Sequence, residues 1–308
     1  LGPARIPLNN GKPDLAAARN IAANLAFDAP LVLKGLDAGG GRTVDVSLDG
    51  VKASANVPLS GKGRIDAKLD AGLSDPARAG ARSVGAIAAT ATLNTAGEQP
   101  TIDGALRLQQ LETAYADAIL GKPGLLALSL GDKADISANA KPSPDGATAL
   151  SGAIDAPRLK AQFASALHKD RITLTAPLNA TWNASEQWLN RFALGADAST
   201  ITIIGDTPID LRVDRAAIAL DGGPLKPGVF DLAAIASARN LTIATSDGQR
   251  VRIDTARATL ASPAPASLSV DAALTGVRGA ANEPGDATLK ATLSNIADAS
   301  GALTLDRA

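Results

Sequence analysis

The feature that most constrains this chain is alternation. Apolar and polar residues take turns along one short run after another, and turn residues separate the runs. In "PIDLRVD" (208–214) Ile209, Leu211 and Val213 line one side, with Asp210, Arg212 and Asp214 on the other. In "RITLT" (171–175) Ile172 and Leu174 share a face while Thr173 and Thr175 take the opposite one. Side chains alternate across a strand, so each run reads as a strand with one apolar and one wet face. A strand this polar on one side does not lie between two packed layers.

Similar runs occupy 43–48, 51–57, 63–73, 84–94, 101–109, 132–140, 147–155, 158–167, 241–246, 249–255, 266–275 and 286–293. Asp49-Gly50 and Asp247-Gly248 each separate two runs. Both central residues of a type I′ turn need positive φ, so each Asp-Gly predicts a hairpin. "PSPDG" (142–146) and "LDGG" (220–223) punctuate in the same way. Such spacing predicts antiparallel meanders. The expected fold is all-β and mainly antiparallel: an elongated curled amphipathic sheet or β-groove with two short amphipathic helices.

Composition narrows the core. The chain is 45% hydrophobic but only 2% aromatic, and its apolar residues are mostly Ala, Leu, Val and Ile. Aromatics usually supply much of a core's buried area. Small side chains build a shallow core, which suits a one-faced sheet better than a compact globule. A GC-rich genome would leave the same Ala and Gly excess.

Two stretches break the β rhythm. In 110–131, Leu111, Tyr115, Ala118 and Ile119 fall at helical spacing, and Gly121-Lys122-Pro123 stops the helix before a second apolar turn. The second stretch follows the 171–182 strand and holds both tryptophans, Trp182 and Trp188. Asn183 with Glu186 three positions on resembles a capping box. Trp188, Leu189 and Phe192 then share one face of a helix over 184–193, ended by Gly195. A face that bulky must bury against something, and the adjoining apolar sheet is the partner expected. Two readings stay open: a plug over the end of the sheet with Trp182 beneath, or a gate that touches a ligand. Three segments follow: a meander over 1–109, a helical insertion over 110–131, and a continuing sheet over 132–308, all within one elongated unit.

Chemistry is sparse. The net charge of −1 and the pI near 5.9 give no reason to expect a nucleic-acid partner. There is no cysteine and a single histidine, His168, so no catalytic, metal-binding or cofactor-binding residue is expected. "HKD" (168–170) reads as a polar hairpin loop, and "GGGR" (39–42) as a turn with no helix behind it. Arg250 and Arg252 put a small basic patch on a wet face, and Arg257 has the opposite parity. No apolar run approaches the roughly 18 residues that span a bilayer. The chain opens "LGPARIPL", which fits an internal or processed piece of a longer protein.

Two segments carry a resemblance. "LETAYADAILGKPGLLALSLGDKADISANA" (111–140) resembles a passage of bacterial AsmA-like envelope proteins, where a helical turn of the "D-A-L-L-G…G-L-L-A-x-x-L-G" type precedes an amphipathic strand. "ITLTAPLNATWNASEQWLNRF" (172–192), followed by "TPIDLRVDRAAIAL" (207–220), is similar to a later passage in which a "T-x-E…L-L" helix leads to a "P-I-x-L-x-V" strand. The resemblance to AsmA and TamB relatives implies a repeating β-groove that conducts phospholipid acyl chains across the periplasm of a diderm bacterium, in outer-membrane biogenesis. It also implies that inner- and outer-membrane components are met through segments outside this chain. The groove-lining candidates are Ile172, Leu174, Trp182, Trp188, Leu189, Phe192, Ile209, Leu211 and Val213. The competing reading is a structural or adhesive β-rich surface protein with a closed core.

Overall fold

The computed structural model describes residues 8–9, 12–13, 20–37, 43–58, 63–76, 83–96, 101–168, 171–194, 201–219, 231–262, 267–279 and 284–294. It is mainly antiparallel β-structure, as the alternation predicts. Two compact units divide the chain. One takes in the described residues up to Pro123 together with Asp132–Gly152. The other takes in Gly124–Gly131 and the described residues from Ala153 onward.

The first unit contains β1 (Leu8–Asn9) and β2 (Lys12–Pro13), which pair only with each other. Its main sheet holds β3 (Asn20–Phe27), β4 (Leu31–Asp37), β5 (Thr43–Pro58), β6 (Arg64–Ser74), β7 (Ser83–Asn94), β8 (Thr101–Glu112) and β9 (Lys133–Pro142). Consecutive neighbours pair antiparallel in the order β3-β5-β6-β7-β8-β9, and β4 pairs with the first half of β5. Helix α1 (Thr113–Leu120) follows β8 and stops at Gly121, as its glycine-proline signal predicts. Tyr115 of α1 packs with Leu73 and Val84, and Val46, Leu48, Ile87, Leu111 and Ile119 close around them. So α1 covers one end of the sheet. Leu111 falls at helical spacing in the sequence but belongs to β8, and its side chain still joins this cluster.

β10 (Thr148–Asp155) crosses the boundary between the units. The second unit holds α2 (Leu125–Leu130), β11 (Leu159–Leu167), β12 (Arg171–Ala184), α3 (Glu186–Trp188) running into a π turn (Leu189–Ala193), β13 (Ile201–Ile204), β14 (Thr207–Ala219), β15 (Asp231–Thr245), β16 (Arg250–Ala261), β17 (Ser267–Arg278) and β18 (Gly285–Ser294). Neighbours pair antiparallel in the order β11-β12-β14-β15-β16-β17-β18, and β13 pairs with the second half of β15.

Two local expectations need correction. Asp49-Gly50 is not a hairpin, because β5 runs straight through it. Gly50 sits at φ 58°, and the β5–β6 register shifts between Asp49 and Lys52. The extra residue is a bulge. It carries Val46 and Leu48, at even positions, onto the face of Val51, Ala53 and Ala55, at odd ones. A hairpin and a bulge both change the phase of alternation by one, so the sequence pattern alone does not separate them. Asp247-Gly248 does close a hairpin, but through a four-residue loop. Thr245 N–H donates to Gln249 O at 2.9 Å and Gly248 N–H to Thr245 O at 2.9 Å, with only Gly248 at positive φ. The 142–146 turn repeats this loop: Ser143 N–H donates to Ala147 O at 2.8 Å and Gly146 N–H to Ser143 O at 3.1 Å. The glycine turns at 39–42 and 220–223, and the stop at Gly195, lie outside the described residues.

The second correction concerns the helix cap. Asn183 belongs to β12, and Ser185 is the N-cap; its hydroxyl accepts from Trp188 N–H at 3.2 Å. Glu186 is not the return half of a capping box. Its carboxylate accepts from Gly205 N–H at 2.7 Å and so ties the helix to the start of the next strands.

Candidate functional site

Cross-strand partners in an antiparallel sheet share a face, so the register shows which residues stand together. In the second unit three rows run across the strands. The first is Leu159–Trp182–Ile209–Ala238–Ala256–Leu274–Ala287. The next is Ala161–Ala180–Leu211–Ala236–Ala258–Ala272–Leu289. The third is Leu178–Val213–Ala234–Leu260–Val270–Ala291. Every member is apolar. Between them lie Lys160–Thr181–Asp210–Ser237–Arg257–Ala273–Thr288 and Gln162–Asn179–Arg212–Ile235–Thr259–Asp271–Lys290, on the opposite face.

Ile172 and Leu174 stand on the same apolar face. The β11–β12 register shifts place both extra residues on β12, so β11 alternates without interruption. Ala161, Ser165 and Leu167 therefore share a face, as do their partners Ala180, Leu174 and Ile172. Ile172 also stands opposite Ile218 of β14.

The first unit repeats the design. Its apolar rows are Ala23–Ala55–Ala67–Ala91–Gly104–Ala140 and Leu25–Ala53–Leu69–Ala89–Leu106–Ala138. Ala71–Ile87–Leu108–Ile136 continues the face toward α1. The opposite face carries Asn24–Ser54–Lys68–Thr90–Ala105–Asn139.

Large side chains on these apolar faces are exposed. Ile102 and Leu106 in the first unit are 51% and 39% accessible, and Ile218 and Leu289 in the second are 55% and 63% accessible. Leu25, Phe27 and Phe163 are exposed as well. The apolar face is packed at the helix-covered end of each unit and beyond it is unevenly covered, with Ala180 and Ala234 buried, Leu211 and Val213 half-buried, and Leu106, Ile218 and Leu289 exposed.

The helix-covered end of the second unit holds the tryptophans. Their rings meet edge to face, with centroids 4.5 Å apart and planes at 85°. Ala184, Leu189 and Ile203 are buried there, with Trp182, Trp188, Leu194, Ile209 and Leu241 packed around them. Two bonds hold α2 to this cluster: Trp182 Nε1–H donates to Ser129 O at 2.8 Å, and Ser185 Oγ–H to Leu128 O at 2.8 Å. Asn190 pairs with β13 as a strand would, accepting from Ile203 N–H and donating to Ile203 O, both at 2.8 Å. Arg158 bonds Asp206 at 2.7 Å, and this bond holds the Asp206 carboxyl below its ordinary range, helped by the Glu186 N–H. Phe192 lies in the π turn, but its side chain is outside the described residues.

Of the residues singled out from sequence, Trp182, Ile209, Leu211 and Val213 fall in the apolar rows, Ile172 and Leu174 extend them, and Trp188 and Leu189 pack in the cluster at the helix-covered end. Sequence reading missed the alanine floor at 234, 236, 238, 256 and 258. It also missed β3, β4, β13 and the first half of β15. In β3 and the first half of β15 the pattern is carried largely by alanine, which contrasts weakly with its polar neighbours, while β4 (LVLKGLD) and β13 (ITII) hold no alanine and are short runs with adjacent apolar residues. Arg250 and Arg252 are exposed as expected, while Arg257 falls in the polar row with Asp210. His168 closes the β11–β12 hairpin through a bond from its N–H to Arg171 O at 2.8 Å, and Lys169 and Asp170 lie outside the described residues. No family model, curated protein or solved structure matches this chain.

Proposed function

We propose that this protein binds or conducts phospholipid acyl chains along its apolar sheet faces, without catalysing a reaction, in the envelope of a diderm bacterium. One observation carries the reading: wholly apolar rows cross four to six strands in the first unit and six or seven in the second, and Leu25, Leu106 and Leu289 on them are exposed. A soluble chain exposes such rows at a cost unless something apolar covers them. Acyl chains suit the surface. Alanine floors leave room for a methylene chain, and larger residues such as Ile209, Leu211 and Leu274 stand beside them. Each methylene taken from water gains about 0.8 kcal/mol, so about eight laid on the face gain roughly 6 kcal/mol. The polar face keeps the sheet wetted. The AsmA-like resemblance of 111–140, 172–192 and 207–220 supports a lipid cargo and a periplasmic location, with membrane partners met through other segments.

The test is photo-crosslinking from position 211 and, as a control, from position 212 on the opposite face. Vesicle lipid should label from 211 and not from 212. Equal labelling at both, or none at either in folded protein, would favour a structural role for the sheet.

A further inference from the structure

The polar face of the second unit holds a hollow of about 520 Å³ over the row Lys160–Thr181–Asp210. Strands β11, β12, β14 and β15 cross beneath it. Long cationic side chains stand on its two sides. Arg158, just before β11, and Lys160 on β11 line one side, and Arg239 on β15 lines the other, three strand steps or about 14 Å away. Between them β12 contributes only the short polar residues Thr181 and Asn183, so the face dips. Charge in the hollow does not balance. Among the described residues its lining carries these three cations and one carboxylate, Asp210. Lys160 reaches Asp155 at 3.1 Å and Arg158 reaches Asp206 at 2.7 Å, but neither acid belongs to the lining. Arg239 bonds Asp210 at 2.9 Å.

We propose that this hollow binds a phosphomonoester group. Such a group carries about −1.5 to −2 charges at pH 7, close to the excess that the lining carries. Guanidinium donors fork to match phosphate oxygens, lysine adds a point charge, and the Thr181 hydroxyl and Asn183 amide add neutral donors. Both arginines have donors to spare. Among the described residues Arg158 bonds Asn183 O and Asp206 through Nη1 alone, and Arg239 bonds Asp210 through Nη2 alone. The Lys160–Asp155 and Arg239–Asp210 pairs are exposed on both sides, and exposed pairs are weak enough to be exchanged for a better-placed anion. The hollow lies on the face opposite the apolar rows, so it does not rest on the acyl-chain reading. A lipid headgroup and a soluble phosphate ester present the same oxygens to it.

Titration of the folded chain with inorganic phosphate, followed through the arginine Nε–H resonances, tests the site. The Arg158 and Arg239 signals should shift and saturate. Lys160→Gln and Arg239→Gln should each weaken binding about fivefold. Lys290→Gln, which loses the same charge on the same face outside the hollow, should leave binding intact. Asp210→Asn should tighten it, because the one carboxylate in the lining is gone. Flotation with phosphatidylcholine vesicles, with and without phosphatidic acid, separates the sources. Flotation that needs phosphatidic acid and falls in Arg239→Gln assigns the site to a lipid headgroup. Saturable binding of inorganic phosphate without such flotation assigns it to a soluble ester. Neither saturable shifts nor Arg239-dependent flotation would overturn the proposal. So would binding that Lys290→Gln weakens as much as Lys160→Gln does, or that Lys160→Gln and Arg239→Gln leave unchanged.

Discussion

Trp188 and Trp182 show how single residues set the closed end of the apolar face. Their edge-to-face contact lets two large rings share one space, and the Trp182 indole N–H is spent on Ser129 O. Trp188→Ala removes one ring and leaves the other without its packing partner. The expected loss is about 3 kcal/mol, the lower end for a buried aromatic because the side chain is only part-buried. Urea unfolding measures it, and a loss under about 1 kcal/mol would mean the helix is not a plug. Asp206 makes a prediction in pH. Its folded carboxyl titrates below its ordinary value because Arg158, and then Glu186 N–H, favour the charged form. That stability is fully present above the unfolded value of about 3.9 and is lost as pH falls through the folded value. Asp206→Asn should flatten the decline in urea midpoint between about pH 5 and pH 3. The effect is modest, since the side chain is 41% exposed. Equal slopes in both proteins would show that the pair adds nothing to folding.

At the level of elements, left-handed residues mark where alternation changes phase. Gly50 in β5, Gln110 in β8 and Asn240 in β15 all have positive φ. Apolar positions shift by one at each: 48 to 51, 108 to 111, and 238 to 241. Gln110 is held there by Asp135, which accepts its backbone N–H at 2.6 Å. Gly50 should be the least replaceable. A Cβ there meets nothing within 4 Å, so the penalty is conformational alone. Gly50→Ala should cost about 1 kcal/mol, and Gly50→Asn clearly less, since Asn tolerates the left-handed region. Equal costs by thermal unfolding would argue for crowding instead. The same phase shifts explain what the sequence shows and what it hides. The 207–214 strand is legible because Ile, Leu and Val alternate with Asp and Arg. The helix bounded by Gly121 is legible for its stop signal. Asp49-Gly50 misleads because bulge and hairpin ask for the same left-handed glycine. Ser185 is hidden because Asn183 and Glu186 offer a better-known spacing, and only the structure shows Glu186 committed to Gly205.

For the whole molecule, each unit carries an apolar face built from the same kind of row. Leu106 in the first unit has the place that Leu211 has in the second: a large residue among alanines, with arginine next along the strand on the opposite face. If acyl chains lie on these rows, the first unit should hold them as well. Photo-crosslinking from 106 should capture vesicle lipid, and from 107 should not. Leu106→Asp should abolish capture by probes elsewhere on the first unit's rows, such as position 89, because a charge in an acyl-coated surface cannot be stripped of water cheaply. Arg107→Asp, one residue along on the polar face, should leave capture intact. Native mass spectrometry adds a count. Wild type should carry lipid on both units, and Leu106→Asp should lower the bound number while position 211 still labels. Loss of labelling at 211 as well would mean that lipid reaches the second unit by way of the first. No labelling from 106, with strong labelling from 211, would confine the binding surface to the second unit and leave the first as scaffold.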